Sequence, residues 1–126
     1  MRRDHRPYPI KRAVERLEHH YTEHFLRPQL DGLGTGHRFM KPWYLRLHGA
    51  RIHVGDHVHV VGAADRHVSL CVWEHKEMHG EIHVEDYALI CPGVRIDSAA
   101  SVTVGPATMI AAGAYLTDAD WHGLYD

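Results

Sequence analysis

His122, within the stretch LTDADWHGLYD, is the residue best suited to move a proton near neutral pH. Imidazole is the side chain whose ordinary pKa lies in that range, so it can take a proton from a hydroxyl and give it back. Asp118 and Asp120 precede it closely, and either carboxylate could fix its tautomer and favour the imidazolium. The plainer reading is a polar turn where an ordered element ends. Spacing alone leaves both readings open.

Metal ligation is the competing chemistry, because the 126 residues include 14 histidines. Three neutral imidazoles can hold zinc and leave an open position where bound water ionises near neutral pH. The sequence offers His48, His53, His57 and His59, then His75, His79 and His83. The last three would line one side of a helix, but Gly80 and the run Ile82–Val84 oppose a helix there. His53, His59 and His83 each lie one place from an apolar valine, so they should point into solvent. Solvated surface histidine is the expectation, and no metal ligand is assigned.

The elements that must position these residues are read from the stretch Val84–Leu116, VEDYAL ICPGVR IDSAAS VT VGPATM IAAGAY, with LTDADW after it. An apolar residue opens each unit of six: Val84, Ile90, Ile96, then Val104, Ile110 and Leu116 after the inserted Val102-Thr103. Four places after each opener stands a small or modest residue: Ala88, Val94, Ala100, Thr108 and Ala114. Neither a helix nor an alternating strand has a period of six. A short strand followed by a corner does, and three such units make one coil of about 18 residues. Stacked coils put Val84 on Val104, Ile90 on Ile110 and Ile96 on Leu116. Six places beyond Leu116 comes His122, where another apolar residue would be due, and Asp120 takes the small-residue place. Local rules broken together in this way are what a site looks like, and equally what the polar end of a solenoid looks like.

These residues resemble the hexapeptide-repeat family, whose fold is a left-handed parallel β-helix, an exception to the right-handed crossover rule. The expected fold class is an all-β solenoid of this kind with an N-terminal α-helix. TDADWHGLYD is similar to the segment of hexapeptide acyltransferases in which a histidine follows a YxTxxH-like ladder end; Tyr115, Thr117 and His122 stand at the matching places. The resemblance implies that His122 is a general base. It would deprotonate a hydroxyl that attacks the thioester of acetyl-CoA. Asp118, Asp120 and Trp121 are then orienting or acceptor-contacting neighbours.

Residues 30–126 look like the N-terminal part of a bacterial sugar O-acetyltransferase, which implies a saccharide acceptor and a homotrimer. Family members continue with further coils that carry much of the CoA groove, so the sequence is expected to belong to a longer protein. The same fold also serves a zinc-dependent carbonic anhydrase class, whose ligand spacing His48 and His53 meet only loosely. It serves non-catalytic scaffolds too, and function must therefore be argued from the site.

The remaining sequence is organised simply. Residues 1–29 read as a tail and a capping helix, with Ile10, Val14, Leu17, Tyr21 and Phe25 at three- and four-residue steps and Arg27-Pro28 as the stop. Such a helix ahead of a solenoid covers its first coil. Glu15, Glu18 and Glu23 on its polar side argue against a membrane-surface role. LDGLGTGHRF lacks the strand before and the Lys-Ser/Thr after that a phosphate loop requires, so its glycines read as a connection, with the first face at Tyr44–Leu47. WEHKEMHG interrupts the ladder and should leave it as an outward loop or hairpin.

A formal charge of −2 gives no sign of a nucleic-acid partner, which would usually show as a basic face. No apolar run is long enough for a membrane span. Cys71 and Cys91 lie in apolar runs and read as buried thiols of a reducing compartment, so cytoplasmic location is expected.

Overall fold

In the computed structural model, which describes residues 5–75 and 78–118, four parallel coils stack on one another. The first coil contains β1 (Gly32–Leu33), β2 (Arg38–Met40) and β3 (Leu45–His48). The second contains β4 (Ile52–Val54), β5 (His59–Val61) and β6 (Val68–Val72). An antiparallel hairpin, β7 (Glu74–His75) with β8 (Met78–His79), then leaves the stack, as the polar WEHKEMHG foretells. The third coil contains β9 (Ile82–Val84), β10 (Leu89–Ile90) and β11 (Arg95–Ser98); the fourth contains β12 (Val102–Val104), β13 (Met109–Ile110) and β14 (Tyr115–Thr117). Equivalent strands of successive coils pair in parallel and form three four-stranded sheets. The chain is a hexapeptide-type parallel β-solenoid with one N-terminal helix.

The register is the one the six-residue count gives. Val84 pairs with Val104, Ile90 with Ile110 and Ile96 with Leu116. Below them Val54, Val60 and Leu70 occupy the same columns. Ile52, Val58, Val68, Ile82, Ile90, Val94 and Ile96 are fully buried, so the axis of the prism is a dry column of β-branched side chains. Burial loosens in the fourth coil, where Leu116 and Val102 are only partly covered.

The structure departs from the expectations at the glycine-rich stretch and at the cysteines, and it lengthens the second coil. Val60 and Ala64 would make another unit of six, but Ala64 is not a ladder residue. Residues Ala63 to Arg66 form a turn closed by a bridge, and Val68 takes the column position below Val94. The glycine-rich stretch is not a mere connection, since it supplies β1 and β2, two faces of the first coil. Its strands escape notice because glycine removes the side chains that mark a face. A Cβ at Gly34 would lie 2.1 Å from Asp56 Oδ1 and 2.6 Å from the Gly55 carbonyl, and Gly36 holds φ +68. The cysteines, finally, are free and only half-buried.

The N-terminal helix α1 (Tyr8–Tyr21) continues as a π turn over Thr22–Leu26 and a 3₁₀ turn over Arg27–Gln29. Thr22 donates its hydroxyl to the Glu18 carbonyl at 2.9 Å, an arrangement that competes with regular helical bonding. The helix packs on β2 and on the Pro42–Tyr44 turn, both in the first coil. It does so with an unexpected face. Glu18, Thr22 and Leu26 are buried, whereas Ile10 is 65% and Leu17 59% exposed. The buried Glu18 carboxylate accepts from Arg38 Nη1 at 3.0 Å and from the Lys41 amide at 2.6 Å, which offsets its desolvation.

Candidate functional site

The ladder strand β14 brings the chain to Asp118, the last described residue before the segment that holds Asp120, Trp121 and His122. Those three lie outside the described residues. Asp118 closes the corner between the third and fourth coils. Its carboxylate accepts the amides of Ala99, Ala100 and Ser101 at 2.7, 2.9 and 2.6 Å and the Ser98 hydroxyl at 3.2 Å. Partial burial raises its pKa, but these donors together outweigh burial and hold the carboxyl below the usual aspartate value. Asp118 therefore remains an anion and ties the end of β14 to the corner that leads into β12.

Asp56 and Asp86 do similar work at the other corner: Asp56 Oδ1 accepts the Thr35 amide at 2.8 Å and Asp86 Oδ1 the Asp56 amide at 2.7 Å. Each coil thus clips the corner of the coil before it.

Beside β14 the structure gathers a polar group that reading by sixes does not single out. Asp97, on β11, is 1% exposed although it stands next to the column residue Ile96. Its Oδ2 accepts Arg95 Nε at 2.9 Å and the Tyr115 hydroxyl at 2.8 Å, and Arg95 also lies over the Tyr115 ring. Its Oδ1 has no hydrogen-bond partner among the described residues, an unusual state for a buried carboxylate. Burial, then the Asp97 charge, push up the pKa of the neighbouring Cys71 thiol, which disfavours a reactive thiolate. The only sequence signal was an acidic residue directly after the apolar opener Ile96, in RIDS.

The histidines singled out as metal candidates are dispersed. His48 is on β3 and His53 on β4, strands of different sheets. His53 and His83 are cross-strand partners on the outer face, with rings stacked at 4.7 Å. His57 stacks on Tyr87 at 4.9 Å. Glu81 approaches His83 at 3.4 Å, and that contact lowers its carboxyl pKa. These are surface ladders, as the alternation of strand side chains requires.

The geometry defines a class, the parallel β-solenoid built on units of six. No protein-family model, curated protein or solved structure matches the chain. No helix among the described residues is long and apolar enough to cross a membrane.

Proposed function

We propose that the protein is an acyltransferase that moves an acetyl group from acetyl-CoA to a hydroxyl of a sugar or related acceptor. The observation that supports this reading is the in-register column ending in the pairing of Ile96 with Leu116. The same count of six leads from Leu116 to His122, where the pattern asks for an apolar residue and the sequence supplies a base.

In this reading the His122 imidazole removes the acceptor hydroxyl proton as the oxygen attacks the thioester carbonyl. The tetrahedral oxyanion is held by positioned donors and collapses with expulsion of the CoA thiolate. The imidazolium returns its proton to that sulfur, leaving an acetyl ester and a free thiol. Asp120 and Trp121 orient the imidazole or contact the acceptor. Asp118 contributes through the corner it holds. A homotrimer, with the CoA groove between neighbouring subunits, belongs to the same proposal.

The test is thiol release from acetyl-CoA by the full protein with a panel of saccharides, beside His122→Ala. Loss of a general base should lower turnover by about 10²–10⁴-fold. Equal release by both proteins, or carbon dioxide hydration without thioester turnover, contradicts the reading. A scaffold would tolerate His122→Ala without loss of any activity.

A further inference from the structure

At the junction of the helical segment and the first coil, three side chains converge that no motif in the sequence announces. His19 lies on α1 and Glu23 on the π turn one helical step later. His37 precedes β2, and its side chain is 2% exposed. Glu23 Oε1 is 2.8 Å from His37 Nε2 and 3.9 Å from His19 Nε2, and the three donor atoms lie within 4.8 Å of one another. The two imidazole rings stack at 5.0 Å.

The carboxylate is oriented from behind. Arg27 Nε holds Oε2, while Arg27 Nη1 is anchored on the Leu33 carbonyl at 2.7 Å. Arg27 Nη2 also donates to Oε1 at 2.9 Å, so the guanidinium grips both carboxylate oxygens from one side while Oε1 turns its other side to the two imidazoles, the arrangement in which an outer hydrogen bond orients a ligating carboxylate.

We propose that His19, Glu23 and His37 form a binding site for a divalent transition metal of zinc's kind, which clasps the helical segment to the first coil. Two imidazole nitrogens and one carboxylate oxygen suit zinc and leave a fourth position for water. Tetrahedral bonds of about 2.0–2.1 Å place donor atoms roughly 3.3 Å apart, between the two separations seen at Oε1. Closure requires the exposed His19 ring to turn out of its stack toward Oε1. For His37 to ligate through Nε2, the proton between that nitrogen and Glu23 Oε1 is exchanged through solvent for one on Nδ1, so the ring enters the site as a neutral imidazole. Because two ligands come from the helical segment and one from the solenoid, the metal stabilises their docked arrangement.

The experiment is calorimetric titration of the chelator-stripped full protein with zinc, alongside thermal unfolding. The expected result is saturation at one equivalent with a raised Tm. His19→Ala removes a largely exposed ligand and should leave the metal-free Tm unchanged while weakening zinc at least tenfold. His24→Ala disrupts the neighbouring stacked pair His20–His24 and should leave affinity intact. Equal affinity in His19→Ala, loss of the same size in His24→Ala, or no saturation at one equivalent overturns the proposal.

Discussion

At the scale of single residues, carboxylates that cap backbone corners or pair with guanidinium groups set the acid limit of the fold. Both Glu23 and Asp118 have folded pKa values below their ordinary ones of 4.5 and 3.8. A depressed carboxyl stabilises the fold above its unfolded pKa, and that stabilisation is lost as pH falls toward the folded pKa. The Tm should therefore begin to fall below about pH 4.5 and continue falling toward pH 2. Glu23→Gln with Asp118→Asn should flatten this slope in melts recorded between pH 5 and 2. An unchanged slope would show that other groups carry it.

Asp118 was legible as a residue of interest, but its corner bonds were not, because its partners lie 17 to 20 positions earlier in the chain. His37 was invisible for the same reason. It meets Glu23 across 14 residues, whereas only the helical spacing of His19 and Glu23 is local.

At the scale of elements, the capping helix shows what periodicity can and cannot say. Its apolar stripe is real, and the helix packs against β2 and the Pro42–Tyr44 turn of the first coil. Which face docks was decided instead by specific bonds, the Glu18 carboxylate with Arg38 and the Lys41 amide. Glu18→Ala leaves that amide unpaired and should cost about 2 kcal/mol, measured by denaturant unfolding. Leu17→Ser, on the exposed stripe, should change stability by less than about 0.5 kcal/mol. The reverse order would mean that the stripe is the docking face.

The first two strands of the solenoid were illegible because they are only two and three residues long and lie in or next to a run interrupted by Gly32, Gly34 and Gly36. Gly34→Ala tests their role: the added methyl meets Asp56 and the Gly55 backbone and should destabilise the first coil by about 1–3 kcal/mol.

At the scale of the whole molecule, the column of openers is the sequence feature that survives translation into structure with its register intact. Six-residue spacing was readable because both marked positions recur, and the inserted pair Val102-Thr103 accounts for coils in which Val84 and Val104 stand 20 residues apart. The second coil was harder to read because the turn at Ala63–Arg66 lengthens it. Column burial predicts a gradient of mutational cost. Ile96→Ala, at 0% exposure, should cost about 2–5 kcal/mol, and Leu116→Ala, partly exposed in the fourth coil, less than half of that.

The column also frames the functional proposal, since His122 follows Leu116 by the same six residues that separate Ile90 from Ile96 and Ile110 from Leu116. The most direct measurement is to compare thiol released from acetyl-CoA with acetyl ester formed on a saccharide, in the full protein and in His122→Ala. The account predicts equal amounts of thiol and ester with His122 present and neither above background in the variant. Ester formed at an undiminished rate by His122→Ala would contradict it.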